Sequence, residues 1–278
     1  MPHRVVLLAA VLSTLFLYGC DERAAVRVAG SSTVLPVISR AAEQFRVDHP
    51  EVNVIVNAGG SGVGINQLGE GKIDVGMSSR ELTAAERDRY PEADFRIHAV
   101  GLDAVVPAVS SEIYEAGVTS LSLDQIADIY RGEIGNWRGV GGPDRDILVV
   151  DKEASRGTRH VFMEAVFGDG GAEAPGADLV LGSNNEEQTA VTQSDAAIGM
   201  LSVAWLNEDV RGLAIDMEDS SVVSPTPERM AAGKYPITRE LLLITTGTPE
   251  GSARQFLEFL LSADGQRIVE EAGYVRLR

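Results

Sequence analysis

The sequence predicts an α/β protein whose sheets are mainly parallel and flanked by helices. Strand-like and helix-like segments alternate along nearly all of the 278 residues. Such alternation is typical of parallel sheets, because consecutive parallel strands are joined by crossover connections that usually contain a helix. The composition agrees, because 44% of the residues are hydrophobic and supply a sizeable core. Chains of this length form one or two domains, and α/β chains of this size commonly have two lobes, so we expect two.

Strands are predicted where apolar residues alternate with polar ones or run together between turns. Val52, Val54 and Val56, for example, alternate onto one face. The run from residue 237 is apolar almost throughout and predicts a buried strand. In chain order, strands are expected at residues 25–30, 52–60, 72–79, 95–109, 146–151, 196–201, 210–216 and 237–247.

Helices are predicted from apolar residues at helical spacing and from sequences that start or stop a helix. Thr83–Glu86 and Ser122–Gln125 have the pattern of a capping box, in which two side chains satisfy early backbone N–H groups. Gly132 and Gly168 stand where two helices should end. In chain order, helices are expected from residue 36, at 61–71 as a short helix or turn, from 83, and at 123–132, 154–168, 184–195, 252–262 and 263–273.

The N-terminus has the pattern of an export signal. Arg4 precedes an apolar run at residues 5–18, which is shorter than the ~20 residues that a membrane-spanning helix needs. The run leads to "LYGC", which resembles a bacterial lipobox, and Cys20 is the only cysteine in the chain. We expect residues 1–20 to be a lipoprotein signal peptide, with Cys20 lipidated and anchoring the protein to a membrane surface. The alternative is a plain signal peptide with an incidental cysteine.

The chain is strongly acidic, with 24 basic and 41 acidic residues and a formal net charge of −17. Nucleic-acid binding needs a basic patch or stripe, so no nucleic-acid partner is expected. A bound anion would have to be held by local dipoles. This is possible because charges more than about 8–10 Å away are largely screened at physiological salt.

Three junctions between a predicted strand and a predicted helix share one chemistry. They are "GSSTV" at residues 30–34, "GGSGVG" at 59–64 and "ASRGT" at 154–158. The first turn of a helix has backbone N–H groups without partners, glycine lets a ligand approach them, and hydroxyls add further donors. Together these features predict anion binding without a basic residue. Ordinary helix capping by Ser and Thr explains any one junction alone, but three in one chain favour a shared site.

Sequence signatures of enzymes are mostly absent. The chain has no G-x-S-x-G elbow and no Walker A loop, and the three histidines after the predicted signal peptide, at 49, 98 and 160, are scattered. We therefore expect no catalytic residue, metal site or cofactor. A phosphoester hydrolase that uses Ser32 or Ser61 as nucleophile is the alternative from a different functional class.

Five blocks occur in this order along the chain: "GSSTVLPV", "GGSGVGINQLGEGKIDVGMSSREL", "IADIYRGEIGNW", "KEASRGTR" and "SDAAIGML". Together they resemble the substrate-binding proteins of high-affinity phosphate ABC transporters. The resemblance implies a two-lobed periplasmic-binding-protein fold, type II-like, that closes on one phosphate. It also implies that "GLDAVVPAV" and "ITRELLLIT" are two crossing hinge strands. Lobe I would then comprise residues 21–103 plus 241–278, and lobe II residues 104–240.

The resemblance also implies which residues bind phosphate. Carried over by position, they are Ser32, Thr33, Val34, Ser61, Ser79, Ser155, Arg156, Gly157 and Thr158. Three positions depart from the family pattern: Ser79 replaces an aspartate, Arg156 replaces a serine, and Lys152 replaces an arginine.

These departures bear on selectivity, because a carboxylate accepts a hydrogen bond from the proton that phosphate carries near neutral pH and repels fully ionised sulfate. With Ser79 present, another acid such as Asp151, Glu153 or Glu187 could supply that carboxylate. Arg156 would add a bidentate grip on the anion, or it forms a salt bridge to a neighbouring acid. We expect Arg80 and Arg159 to be structural partners of other side chains.

Taken together, the sequence predicts an exported, lipid-anchored, monomeric binding protein that captures inorganic phosphate and delivers it to a membrane ABC permease. Two alternatives stay open. One is a receptor for another tetrahedral oxyanion, such as sulfate, arsenate, molybdate or tungstate. The other is an envelope protein that senses phosphate.

Overall fold

The strands and helices follow the predicted alternation closely. The computed structural model describes residues 24–277, so the predicted signal peptide and Cys20 lie outside it. The strands are β1 Ala24–Gly30, β2 Val52–Ala58, β3 Val75–Ser78, β4 Phe95–Ser110, β5 Ser120–Ser122, β6 Leu148–Lys152, β7 Leu179–Leu181, β8 Ala197–Ser202, β9 Val210–Gly212, β10 Ala214–Asp216, β11 Val222–Val223 and β12 Thr238–Thr246. The α-helices are α1 Leu35–Asp48, α2 Ser61–Gly69, α3 Ala84–Arg89, α4 Ser111–Glu115, α5 Leu123–Arg131, α6 Gly157–Phe167, α7 Asn184–Thr192, α8 Pro227–Ala231, α9 Gly251–Leu261 and α10 Ala263–Glu271. Between residues 24 and 277, no helix combines the length and the apolar character that crossing a bilayer requires.

Local sequence explains where several helices begin and end. Both predicted capping boxes are confirmed, at the start of α3 and of α5, because each hydroxyl accepts from the N3 backbone and each N3 side chain reaches back. Ser183 and Glu186 form a further capping box at α7 that the sequence analysis did not identify. Gly132 and Gly168 end α5 and α6 in the left-handed conformation, with φ of 81° and 72°.

One long strand connects the two halves of the main sheet, whose order is β2-β1-β3-β12-β4-β8-β6-β7, with β9 also on β4. Strand β4 is 16 residues long, and its first part pairs with β12 while its second part pairs with β8 and β9. Away from this crossing the pairs are parallel: β1 with β2 and β3, and β6 with β8 and β7. The prediction of a two-lobed α/β fold with two crossing strands is therefore confirmed.

Each lobe has its own hydrophobic core. The core of lobe I includes Val28 and Phe45 and is completed by residues after 241, whereas the core of lobe II includes Trp137 and Phe162. Strand β4 passes from the first core to the second between residues 100 and 104. The residues between the two cores lie at the contact of the lobes, which is where α/β proteins place ligands.

The single strand predicted at residues 210–216 is wrong. The segment forms two strands separated by Leu213, whose side chain is fully buried in the core of lobe II. Strand β9 pairs with β4, whereas β10 leaves that sheet to pair with β5 and β11. The apolar pattern is continuous through both strands, so local sequence could not show the change of partner.

Candidate functional site

The predicted junctions converge where the lobes meet. Strands β1 and β3 are parallel neighbours, so the segments that follow them lie side by side at one edge of the sheet, beside the start of α2. The first residues of α6, from lobe II, face them. We call the residues that meet here the cradle: Ser31, Thr33, Ser61, Ser79, Gly157 and Thr158. The five hydroxyl-bearing members are nearly inaccessible, with exposed fractions of 3% or less.

Hydroxyls connect the cradle within and between the lobes. In lobe I, Ser31 Oγ donates to Ser79 Oγ at 3.0 Å, and the Ser79 backbone N–H donates to Ser61 Oγ at 3.1 Å. Between the lobes, Thr33 Oγ1 and Thr158 Oγ1 are 3.2 Å apart. The cradle is thus a compact set of neutral donors drawn from both sides of the interlobe contact.

Helix capping does not account for the three junctions. The N-cap positions of α1, α2 and α6 are Val34, Gly60 and Arg156, and at none of them does a side chain accept a hydrogen bond from a backbone N–H of the helix. Helices α3, α5 and α7, by contrast, each have a capping box. Hydroxyls of the junctions therefore contact other cradle residues, within lobe I or, for Thr33 and Thr158, between the lobes, instead of capping their own helices.

Glycines allow the lobes to approach this closely. A Cβ atom at Gly157 would overlap the hydroxyls of Ser61 and Ser79. Gly60 has φ of 95°, and a Cβ there would lie 3.0 Å from the Cδ of Arg156. The Gly62 N–H also donates to the Ser155 carbonyl at 3.1 Å, which gives a backbone hydrogen bond between the lobes.

The structure places the other predicted ligand residues around the cradle. Ser32 is half-buried on the loop between β1 and α1, and Val34 is fully buried in the core of lobe I. Ser155 contributes its carbonyl to the interlobe hydrogen bond described above. The guanidinium of Arg156 binds Glu153, with Nε–Oε2 of 2.9 Å and Nη2–Oε2 of 2.5 Å, which is the salt bridge weighed as the alternative to a ligand contact.

The three acids expected to replace the missing aspartate all have cationic partners. Besides the Glu153 pair, Asp151 accepts from Arg159, with Nε–Oδ1 and Nη2–Oδ2 both 3.0 Å. Lys152 Nζ contacts Glu187 and lies 3.5 Å from the Ser183 carbonyl. Burial raises the pKa of Glu187 and lowers the pKa of Lys152, so each needs the other to stay charged. None of these three acids is left as a free acceptor at the cradle.

Sequence analysis missed the charged group that touches the cradle. Arg239, on β12, donates from Nη1 to Thr158 Oγ1 at 3.0 Å and from Nη2 to Thr33 Oγ1 at 3.3 Å. Its Nε and Nη2 also donate to Asp103 Oδ2, at 2.9 and 2.7 Å. Asn184, at the start of α7, donates to Thr33 Oγ1 at 3.0 Å. An arginine and an aspartate directly beside the apolar runs of two predicted strands were the available signal, since buried charges are rare unless paired.

Arg80 is confirmed as a structural partner of another side chain. Its Nη1 and Nη2 bind Glu86 Oε2 and Oε1 at 2.8 and 2.7 Å, and both side chains are about nine-tenths buried. The pair therefore holds the segment after β3, which includes Ser79, against α3.

Glu86→Gln is expected to lower the free energy of unfolding at neutral pH by about 3 kcal/mol, because it leaves the buried Arg80 without a counter-charge. Burial raises the pKa of Glu86, but hydrogen bonds from Arg80 and Thr83 outweigh it and hold the pKa below 4.5. The stabilisation is thus present above pH 4.5 and is lost as the pH falls through the folded-state pKa. Urea denaturation between pH 3 and 7 measures this, with Asp94→Asn, in an exposed pair, as control. Equal pH profiles for Glu86→Gln and wild type would contradict the assignment.

Comparison with known proteins finds similarity along most of the chain. Residues 21–264 match the family model of the PBP superfamily domain. The chain is similar to the phosphate-binding protein PstS of Bacillus subtilis, with 33% identity over 92% of this chain and 82% of that protein. It is also similar to PstS of Borreliella burgdorferi, with 31% identity over 99% of each chain.

Solved structures agree with the sequence comparisons. A candidate phosphate ABC transporter substrate-binding protein from Clostridium perfringens, solved with bound phosphate, superimposes with a TM-score of 0.82 at 30% identity, covering 91% of this chain and 100% of that one. An ABC-type phosphate transport receptor from Vibrio cholerae gives a TM-score of 0.73 at 29% identity, with the same coverage.

Proposed function

Because this chain belongs to the PBP superfamily, and within it to the phosphate-binding proteins of phosphate ABC transporters, we propose that it captures inorganic phosphate between its lobes and delivers it to a membrane ABC permease. Members of this family bind their ligand without converting it, so the hydrolase alternative is set aside. We further propose that the protein works outside the cytoplasm as a monomer, anchored by a lipid on Cys20.

The observation that carries the proposal is the buried cradle of hydroxyls shared by both lobes. Neutral donors at helix N-termini suit an anion, and they do so in a protein whose net charge of −17 opposes anion binding at long range. The nearly complete burial of the cradle favours a ligand as small as an inorganic anion. A larger phosphate ester would have to hold the lobes apart.

We propose that phosphate is held by the nine residues expected from sequence: Ser32, Thr33, Val34, Ser61, Ser79, Ser155, Arg156, Gly157 and Thr158. Five of them contact one another in the cradle or lie at its helix starts: Thr33, Ser61, Ser79, Gly157 and Thr158. The proposed lobes are residues 21–103 plus 241–278, and 104–240. Binding favours the closed arrangement because donors from both lobes reach one anion only when the lobes meet.

Calorimetric titration of the protein, stripped of bound ligand, with phosphate tests this function. We expect a dissociation constant in the micromolar range or tighter, since several charge-assisted hydrogen bonds converge in a buried site. An absence of binding heat at several temperatures, with the protein folded by circular dichroism, would contradict the proposal.

A receptor for another tetrahedral oxyanion remains the second candidate. It is favoured by the pairing of Asp151, Glu153 and Glu187 with cations, which leaves these acids unable to reject an unprotonated anion. Titrating sulfate and arsenate beside phosphate separates the candidates. Tight sulfate binding without phosphate binding would support the second.

A further inference from the structure

We propose that Arg239 is the buried cation that orients the hydroxyls of Thr33 and Thr158 toward the bound anion, and that Asp103 sets how much of its charge the anion experiences. This inference rests on the proposed function and names two residues that determine the strength and selectivity of the same site. Neither residue belongs to the set expected from sequence.

The position of Arg239 is the first argument. Arg239 and Asp103 are register partners on the two crossing strands β12 and β4, and their side chains are 2% and 0% exposed. The guanidinium reaches Thr33 of lobe I and Thr158 of lobe II at the same time. It is therefore fixed to the hinge and touches the cradle from both sides.

The other cations near the cradle are engaged elsewhere. Within residues 24–277, Arg239 is the only lysine or arginine whose side chain donates a hydrogen bond to a cradle hydroxyl. The neighbouring cations each have a dedicated acid: Arg80 with Glu86, Arg156 with Glu153, Arg159 with Asp151, and Lys152 with Glu187. Arg239 has an acid as well, Asp103, but unlike these four cations it also donates to two cradle hydroxyls.

Hydrogen-bond directions give a second argument. Thr33 Oγ1 accepts from both Asn184 and Arg239, so both of its lone pairs are used and its own proton must be donated. Thr158 Oγ1 also accepts from Arg239, and its proton is free to point into the cleft. The guanidinium therefore keeps both threonine hydroxyls as donors: Thr33 donates to Thr158 at 3.2 Å in this arrangement, and it can donate to an anion instead.

Arg239 also connects binding to closure. The guanidinium of Arg239 contacts Thr33 of lobe I, Thr158 of lobe II and Asp103 on β4. These contacts form together only when the lobes meet. An anion that accepts from Thr33 and Thr158 is therefore bound by groups that Arg239 has already aligned. Arg239 is therefore part of the contact that distinguishes the closed from the open arrangement of the lobes, and ligand binding shifts the protein toward the closed one.

Asp103 limits the charge. Its carboxylate accepts from Arg239 and from Ser202 Oγ at 2.8 Å, so the pair is neutral overall and weakens the attraction of Arg239 for an anion. An asparagine at this position can accept from Arg239 through Oδ1 and donate to Ser202, whose hydroxyl also accepts. Asp103→Asn thus removes one negative charge while keeping both contacts.

The test is calorimetric titration of phosphate at pH 6 and pH 8 and at two salt concentrations. Arg239→Met is expected to weaken binding by at least about 100-fold, because it removes a desolvated charge and two oriented donors. Asp103→Asn is expected to bind as tightly as wild type or more tightly, with a larger gain at pH 8, where phosphate is mostly dianionic, and a steeper salt dependence. A structural role alone predicts weaker binding for both variants.

Arg159→Met is the matched control, since it also breaks a buried arginine–aspartate pair. The guanidinium of Arg159 donates to Asp151 and to the Ala172 carbonyl and does not reach the cradle. It should lose stability like Arg239→Met but bind within about threefold of wild type. If Arg239→Met does not fold, Arg239→Lys replaces it and should bind about tenfold more weakly.

Wild-type affinity in Arg239→Met, or Asp103→Asn weakened as much as Arg239→Met, would overturn the inference while leaving the proposed function intact. No binding by wild type would instead overturn the proposed function, and this inference with it.

Discussion

Thr158→Asp is expected to abolish phosphate binding while leaving the protein folded. The side chain at 158 lies in the first turn of α6, 3% exposed and 3.2 Å from the hydroxyl of Thr33. A carboxylate there would accept the hydrogen bonds of Arg239 that now reach Thr158, and it would repel the anion. Like charges in a desolvated site cost several kcal/mol, so the affinity should fall by at least about 1,000-fold.

The fold should tolerate this change because an acidic side chain in the first turn of a helix interacts favourably with the helix dipole. Thr158→Val is the matched control: it keeps the shape, removes one hydroxyl, and should weaken binding by about 10-fold. Calorimetric titration and thermal melting of both variants measure the two effects. Tight phosphate binding by Thr158→Asp would show that the ligand is bound elsewhere.

Gly157→Ala is expected to weaken phosphate binding by at least about 100-fold, because overlap with Ser61 and Ser79 would stop the lobes short of contact. The added methyl group belongs to lobe II, and the serines belong to lobe I. The variant should therefore keep each lobe folded, and alanine is the better helix former at this position.

Small-angle scattering with and without phosphate measures the predicted failure to close, beside calorimetry for the affinity. Gly135→Ala is the matched control, since no atom lies within 4 Å of a Cβ at that position. It should bind and compact like wild type. Normal compaction of Gly157→Ala with phosphate would mean that the lobes close by a different path.

Sequence predicted well what local chemistry determines. The capping boxes at Thr83 and Ser122 and the glycine stops at 132 and 168 formed as expected, because each involves residues only a few positions apart. The three junctions were also recognisable, since a strand, small donors and a helix follow one another directly. Their meeting could be expected from the rule that ligands bind at the carboxyl ends of parallel strands.

Sequence could not show which charged side chains would find each other. Asp103 and Arg239 are 136 positions apart, and their pairing depends on the register of two antiparallel strands that are distant in sequence. Arg156 lies inside a predicted ligand loop, yet its guanidinium forms an ion pair with Glu153, three residues earlier. Pairing of this kind is decided by tertiary geometry, which sequence spacing alone does not contain.

The position of β12 also determines the order in which the protein can assemble. It lies between β3 and β4 in the sheet of lobe I, although 127 residues lie between the end of β4 and the first residue of β12. A chain emerging from its N-terminus therefore presents β1, β2 and β3 long before their central neighbour exists. The strands of lobe II from β5 to β11 precede β12 in the sequence and are therefore synthesised before it, so lobe II can fold first. Closure of lobe I depends on contacts between distant parts of the chain, such as the hydrogen bond from Tyr274 Oη to the Thr33 carbonyl. Contacts of this kind form slowly, so we expect lobe I to fold after lobe II.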